Sequence, residues 1–267
     1  MIEPIVDAQW LAAHPAVVVA DVRHYLDGRS GADAYRGGHL PGAVFVPMDE
    51  VLAAPASAER GRHPLPEPAD FAAGLGALGI GDGDVVVAYD DAGGAMAGRL
   101  VWLLRMLGRD AALLDGGMGA WEGELSVDPV ARPAATFTAQ DWPAGALADI
   151  DEAVAGPVVI DARAPERYRG DVEPIDPRGG HIPGARSYPL TGNLAADGRF
   201  LSREALRERF ADLGDASGVI SYCGSGVTAC HNLIAMEHAG LGRGRLFPGS
   251  WSQYSATDRP AGLGDQP

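Results

Sequence analysis

The chain has 267 residues, of which 46% are hydrophobic, so it can form one large domain or two of ordinary size. Its 36 acidic residues outnumber its 21 basic residues, and the formal net charge of -15 argues against a nucleic-acid-binding or anionic-membrane surface. All the basic residues are arginines, and the absence of lysine excludes Schiff-base chemistry and a Walker-type phosphate site.

The cysteine content and the N-terminal sequence bear on where the protein resides in the cell. Only Cys223 and Cys230 are present, close together on one helical segment, so we expect neither a disulfide framework nor a zinc site. The first ten residues lack the basic region and apolar run of a targeting signal, and no stretch is apolar enough for a membrane span. We therefore expect a cytoplasmic protein that binds no membrane and no nucleic acid.

The first half of the chain alternates short strands with helices. Residues 17–22 and 85–89 are almost continuous in valine and predict buried strands, and the apolar spacing of residues 96–107 predicts a helix. This alternation is typical of parallel strands joined by crossover helices, and ligands bind at the carboxyl ends of such strands. Asp90 follows the second strand and therefore lies at such an end.

Four blocks of the first half recur in the second half in the same order. The matched blocks are 17–23 with 158–163, 36–43 with 178–185, 84–90 with 218–223, and 115–121 with 248–254. This repetition predicts a duplicated domain. We expect one domain over residues 1–125, a Pro- and Ala-rich linker over 126–145 with a short strand at 136–138, and a second domain over 146–267.

The second half carries the most informative motif. A buried strand at residues 218–222 is followed by Cys223 and then by a helical segment at 230–239, and residues 202–213 predict a further helix. The unpaired N–H groups of a helix N-terminus favour a thiolate, and Gly224 and Gly226 let the loop curl into an anion-binding nest. A buried cysteine that only packs remains an equally open alternative.

Asp90 occupies the position in the first half that Cys223 occupies in the second. An aspartate provides no sulfur nucleophile and repels an anionic substrate. We therefore expect one catalytic domain and one supporting domain.

Together, the duplication, the run from Cys223 to Thr228, the two Gly-His-Leu/Ile-Pro-Gly-Ala blocks and the Gly249-Ser250-Trp251 block resemble the tandem rhodanese sulfurtransferases over nearly the whole chain. The resemblance implies an α/β fold of two rhodanese-like domains, each a central parallel sheet flanked by helices. It also implies that Cys223 takes a sulfane sulfur from a donor as a persulfide and passes it to an acceptor. The residues whose N–H groups would bind this sulfur include Gly224, Gly226, Val227 and Thr228.

The loop also bears on competing cysteine chemistries. A tyrosine phosphatase needs an arginine to clamp the phosphate oxygens at the position that Ala229 occupies here. Phosphatase activity is therefore not expected.

The donor can be inferred from the charge of the loop. Gly224 and Ser225 are neutral, whereas the resemblance implies basic residues there in thiosulfate transferases, so the loop is more similar to that of the 3-mercaptopyruvate sulfurtransferases. Their substrate carboxylate needs an arginine, and the resemblance assigns Arg167 to it, with Arg178 as the nearest second candidate. It also assigns a proton relay to Ser225 and His39, with either Asp27 or Asp33 as the acid.

Several of these residues have structural alternatives. His39 recurs as His181 in the second half, which favours a turn-stabilising role common to both. Ser225 suits a tight loop because it is small, and Cys230 is expected in the core. Arg23 and Arg163, which follow matched aspartates, are expected to form ion pairs in the scaffold.

Three functions remain open at this point. The first is transfer of sulfur from 3-mercaptopyruvate to a thiol, to thioredoxin or to cyanide; the second uses thiosulfate as the donor; the third is a non-catalytic sulfur carrier or interaction module. None of them implies an organic cofactor or a metal.

Overall fold

The computed structural model describes every residue from Met1 to Pro267 and divides the chain into two compact units. The first unit comprises Met1–Ala54, Leu65–Trp142 and Ala196–Phe200, and the second comprises Pro55–Pro64, Pro143–Ala195 and Leu201–Pro267. A ten-residue segment from early in the chain, Pro55–Pro64, thus belongs to the same unit as Cys223.

The first unit is built on a five-stranded parallel sheet with the strand order β1-β5-β4-β2-β3. Its strands are β1 (Ile5–Val6), β2 (Val18–Asp21), β3 (Val44–Phe45), β4 (Val86–Tyr89) and β5 (Ala111–Leu114), and its helices are α1 (Ala8–Ala13), α2 (Gly31–Gly37), α3 (Pro68–Ala77) and α4 (Ala97–Met106). A π-helical turn at Met48–Leu52 and a 3₁₀ turn at Gly117–Ala120 complete it.

The second unit is built on a four-stranded parallel sheet with the order β7-β6-β8-β9. Its strands are β6 (Val158–Asp161), β7 (Arg186–Ser187), β8 (Val219–Tyr222) and β9 (Arg245–Leu246), and its helices are α5 (Ile150–Ala155), α6 (Pro165–Arg169), α7 (Arg203–Arg209), α8 (Ala229–His238) and α9 (Ser250–Tyr254). The unit also contains four 3₁₀ turns, at Ala144–Ala146, Leu190–Asn193, Ala211–Leu213 and Ala216–Gly218.

The predicted α/β fold with parallel sheets is confirmed. Strands β4 and β8 are buried at every residue, which explains their continuous apolar sequence, because helices cover both faces of a parallel sheet. The predicted helix at 96–107 is α4. The helix predicted over 202–213 is interrupted: α7 ends at Arg209, and a 3₁₀ turn at Ala211–Leu213 follows.

The strand predicted at residues 136–138 is wrong. The Asp82 N–H donates to the Thr136 carbonyl, and both the N–H and the hydroxyl of Thr138 donate to the Asp82 carboxylate. Phe137 packs edge-on against Phe71 of α3 with its ring centroid 5.8 Å away. This segment therefore bonds to a loop and a helix of the first unit, so it adds no strand to the sheet.

None of the helices combines the length and the apolar character that crossing a membrane requires.

Candidate active site

Cys223 lies between the carboxyl end of β8 and the start of α8, at the sheet edge where a ligand is expected. Its Sγ accepts a hydrogen bond of 3.1 Å from the Gly226 N–H, and the residue is 1% exposed. Gly226 has a φ of 78°, and a Cβ there would lie 2.4 Å from the Pro248 carbonyl oxygen. Only glycine fits this turn, which aims a backbone donor at the sulfur.

The backbone around Cys223 is held by the first turn of α9. The Cys223 N–H donates to Ser250 Oγ over 3.1 Å, and the Cys223 and Gly224 carbonyls accept from the N–H groups of Trp251 and Ser252. Ser250 is the one non-glycine residue with a positive φ, 50°, a conformation that costs roughly 1–2 kcal/mol. Its hydroxyl, which also donates to Phe247, holds the cysteine peptide in return.

Ser225 bonds a histidine that the sequence analysis did not identify. The Oγ of Ser225 and the Nδ1 of His63 are 2.8 Å apart, and both residues are about 6% exposed. His63 belongs to the segment 55–64, which lies in the second unit although it precedes that unit in the chain. It lies outside the repeated blocks, so the comparison of the two halves provided no signal for it.

The segment that carries His63 is anchored to α9. The Arg62 N–H donates to Ser252 Oγ over 3.0 Å, and Gln253 Nε2 donates to the Glu59 carbonyl over 2.6 Å. A Cβ at Gly61 would lie 2.6 Å from the Gly249 carbonyl, so the segment approaches α9 too closely for any side chain at that position. These contacts explain why His63 and Arg62 have defined positions.

His39, to which the sequence analysis assigned the imidazole beside Ser225, is fully buried within the first unit. Its Nδ1 bonds the Tyr35 carbonyl over 2.9 Å, and its ring stacks on Tyr35 at 4.0 Å. His181 makes the same two contacts with Tyr168 in the second unit. The contact with Ser225 therefore belongs to His63, because His39 stabilises a turn that the repeat shares.

The two acids considered for the relay pair with their own neighbours. Asp27 accepts from Arg29 over 2.9 Å, and Asp33 forms an ion pair with Arg36; all four side chains are largely exposed. Both carboxylates therefore serve local ion pairs on the surface of the first unit.

Two guanidinium groups converge beside Cys223. The Nη1 of Arg167 and the Nη2 of Arg62 lie 3.5 and 3.2 Å from the point that a Cβ on Gly224 would occupy. Arg167 comes from α6, as the sequence analysis expected. Arg62, the neighbour of His63, was missed. Together they present guanidinium N–H groups beside Gly224, the residue that follows Cys223, an arrangement suited to a carboxylate.

Buried acids hold these arginines in place. Glu173 accepts from Nε and Nη2 of Arg167 over 3.2 and 2.6 Å, and Asp176 accepts from Arg62 Nη1 over 2.5 Å. Burial raises the pKa of Glu173, but hydrogen bonds from Arg167 and from nearby N–H groups outweigh it and leave this pKa below its usual value. Burial dominates at Asp176 and raises its pKa, although Arg62 opposes the rise.

Arg178, the second candidate for the substrate, serves a structural purpose. Its guanidinium donates to the carbonyls of Ser255, Tyr254 and Thr257 at the end of α9. Cations stabilise helix C-termini in this way. These bonds occupy its Nε and Nη2, so Arg62 replaces Arg178 as the second arginine at the site.

The other residues weighed in the sequence analysis belong to the scaffold. Arg23 and Arg163 form forked ion pairs with Asp21 and Asp161, in which the shortest N–O distance is 2.6 Å in both units. Cys230 is fully buried, and its Sγ donates to the Gly226 carbonyl over 3.4 Å. Cys230 therefore stabilises the loop of Cys223 through the Gly226 carbonyl.

The equivalent loop of the first unit contains an anion of its own. The fully buried Asp90 carboxylate accepts four backbone hydrogen bonds, from Ala92 and Gly94 on Oδ1 and from Met96 and Ala97 on Oδ2, with lengths of 2.7–2.8 Å. Burial raises the pKa of Asp90, and these four donors oppose the rise. A loop of this type can thus surround one anion with four donors.

Comparison with known proteins gives a consistent result. A family model described as "Rhodanese-like domain" matches residues 7–124 and 145–257. A Pseudomonas aeruginosa protein named "Probable 3-mercaptopyruvate sulfurtransferase" is 44% identical over 98% of each chain. A Mycobacterium tuberculosis protein that carries the name of a thiosulfate sulfurtransferase is 41% identical over 96% of this chain and 94% of its own. The solved "3-mercaptopyruvate sulfurtransferase from Leishmania major" is similar with a TM-score of 0.86 and 33% identity, over 97% of this chain and 75% of that one.

Proposed function

The chain belongs to the rhodanese family and is a sulfurtransferase, and we propose that its donor is 3-mercaptopyruvate and that the sulfur passes through a persulfide on Cys223. One observation carries the choice of donor. Next to Cys223, Arg62 and Arg167 offer N–H groups to a carboxylate, while Ser225 bonds His63. A donor that carries a carboxylate and requires a proton transfer uses all four groups.

The first half-reaction is a sulfur transfer in which the cysteine is the nucleophile. The Cys223 thiolate attacks the sulfur of 3-mercaptopyruvate, the new S–S bond forms, and the C–S bond breaks. The electron pair of that bond remains on carbon as the enolate of pyruvate. The Gly226 N–H, which already bonds Sγ, stabilises the negative charge on the sulfur pair.

The leaving group needs a proton, and Ser225 and His63 are placed to supply it. The proton of the donor's thiol must move to the enolate carbon to give pyruvate. The Ser225 hydroxyl can donate to the enolate while the 2.8 Å contact with His63 Nδ1 replaces that proton. Ser225 and His63 thus act as a general acid pair.

The second half-reaction regenerates the enzyme. A thiolate or cyanide attacks the outer sulfur of the persulfide, the S–S bond breaks, and its electron pair returns to Cys223. The products are an acceptor persulfide or thiocyanate. Small thiols, thioredoxin and cyanide are all proposed as acceptors.

Thiosulfate is the second candidate donor, favoured by the name of the M. tuberculosis relative at nearly the same identity. Sulfite leaves thiosulfate as a stable anion and needs no proton. The Ser225–His63 pair therefore has no use in that reaction, which is why we favour 3-mercaptopyruvate.

The test compares the two donors in the wild type, Ser225→Ala and His63→Gln. We expect each substitution to lower kcat/KM for 3-mercaptopyruvate by about 10²-fold and to change that for thiosulfate by less than about threefold. Intact mass after incubation with each donor alone should show one added sulfur atom, absent in Cys223→Ser. Equal losses with both donors, or a wild type that gains no sulfur from 3-mercaptopyruvate, would refute the proposal.

A further inference from the structure

We propose that Asp176 determines the charge preference of this site, favouring a donor with a single carboxylate charge over a compact dianion. The inference rests on the proposed function, since it concerns the same two arginines. Asp176 does not touch the sulfur. It acts through Arg62 and Arg167 and is therefore a specificity-determining, positioning residue.

The geometry places Asp176 behind both arginines. Its Oδ1 lies 2.5 Å from Arg62 Nη1 and its Oδ2 lies 3.3 Å from Arg167 Nη2, so one carboxylate bridges two guanidinium groups. The side chain of Asp176 is 3% exposed, whereas those of Arg62 and Arg167 are 23% and 17% exposed. A bound donor meets the arginines first and the carboxylate only through them.

The charges around this carboxylate compensate one another. Three arginines, Arg62, Arg163 and Arg167, are joined by ion pairs to three acids, Asp161, Glu173 and Asp176. The cluster is formally neutral. It can orient a carboxylate with the N–H groups that face Gly224, but it provides little net attraction for a second negative charge.

Neutralising Asp176 should therefore affect the two donors unequally. The Coulomb energy of a ligand is proportional to its charge, so one unit of added positive charge in the cluster acts twice as strongly on dianionic thiosulfate as on the 3-mercaptopyruvate monoanion. If Asp176 only anchored Arg62, its removal would instead lower kcat/KM for both donors by similar factors. The ratio of the two kcat/KM values separates these cases.

The experiment measures that ratio with cyanide as acceptor in the wild type, Asp176→Asn, Arg62→Gln and the double variant. We expect Asp176→Asn to raise the thiosulfate to 3-mercaptopyruvate ratio by about five- to tenfold. The double variant restores the net charge and should return the ratio to within about twofold of wild type. Inhibition by sulfite, a dianion, should strengthen in Asp176→Asn more than inhibition by pyruvate.

Asp171→Asn is the matched control. Asp171 is an exposed acid on the same stretch of chain, and it pairs with Arg169 rather than with either arginine of the site. The thiosulfate to 3-mercaptopyruvate ratio of Asp171→Asn should equal that of the wild type. Should Asp176→Asn not fold, Glu173→Gln removes the same unit of charge from the cluster and should shift the ratio in the same direction.

An unchanged or lowered ratio in folded Asp176→Asn, or in Glu173→Gln if that is the variant used, would overturn the inference. This outcome is distinct from a failure of the proposed function, which would appear in the wild type as an absence of turnover with 3-mercaptopyruvate.

Discussion

The loops that follow β4 and β8 occupy the same place in the repeat, but the first is centred on a carboxylate and the second on a thiol. In the first unit, Asp90 fills its loop with a carboxylate that takes four backbone N–H groups. In the second unit, the sulfur of Cys223 takes the Gly226 N–H, and two arginines lie beside the loop. The carboxylate of the first loop is an anchor held by four backbone donors, whereas the thiol of the second is the group that we propose takes up sulfur. The loops differ in the central side chain and also in the backbone, because Gly93 and Gly94 have positive φ in the first loop and only Gly226 does in the second.

The turns that support the two loops show a second contrast. Gly117 and Ser250 occupy matched positions and have almost the same φ, 54° and 50°. Glycine adopts this conformation without strain, but serine does not. The hydroxyl of Ser250 accepts from the Cys223 N–H, so the second unit contains a strained residue where that strain fixes the cysteine peptide.

The contrast in chemistry is tested by replacing each central residue with serine. We expect Cys223→Ser to lower the turnover rate by at least about 10³-fold, because an alcohol cannot carry a sulfane sulfur. Asp90→Ser should leave kcat per folded molecule within about twofold, as the carboxylate takes no part in the reaction. Cys230→Ala is the control for loss of a thiol and should retain activity. Activity that survives in Cys223→Ser would show that the two loops do not differ in the way described.

The structural role of the first loop is tested by stability. Asp90→Ala leaves four backbone N–H groups, two of them on the buried residues Gly94 and Ala97, without an acceptor and should lower the free energy of unfolding by about 2–4 kcal/mol, measured by urea denaturation. Asp91→Ala, which removes an exposed acceptor for the Tyr25 hydroxyl, should cost at most about 1 kcal/mol. Equal costs for the two variants would contradict an anchoring role for Asp90.

The smallest expected effect concerns Ser250. Ser250→Gly removes a hydrogen bond worth about 1 kcal/mol and relieves a strain of similar size, so the free energy of unfolding should change by less than about 1 kcal/mol. The turnover rate should fall about three- to tenfold, because the Cys223 peptide is held less firmly. Ser255→Ala, which removes a buried hydroxyl without a hydrogen-bond partner from the end of the same helix, should leave the rate unchanged. A rate unchanged in Ser250→Gly would limit Ser250 to packing.

Much of the fold was predictable because its signals are local or repeated. The valine runs predicted β2 and β4, and the position of Cys223 at the end of β8 followed from the apolar strand before it and the helix after it. The matched blocks predicted the duplication. The prediction of a strand at 136–138 was wrong because the Thr138 N–H donates to the carboxylate of Asp82, more than fifty residues away, and not to a neighbouring strand.

The site was only partly predictable. Arg167 lies on α6 and Ser225 on the loop after Cys223, and the resemblance named both as candidates. His63 and Arg62 reach the site through contacts such as that between Arg62 and Ser252, 190 positions apart, and no local pattern encodes such a contact. His39 was favoured instead because it stands in a recognisable block, although that block recurs for a structural reason.

The place of segment 55–64 has a consequence for the duplicated architecture. The two repeats differ at the matched position, which is Asp90 in the first repeat and Cys223 in the second. The ten residues Pro55–Pro64 precede the second repeat in the chain but belong to its unit, and they include Arg62 and His63. A chain truncated to the second repeat would contain Cys223 without these two side chains, so we expect both repeats to be needed for a complete site.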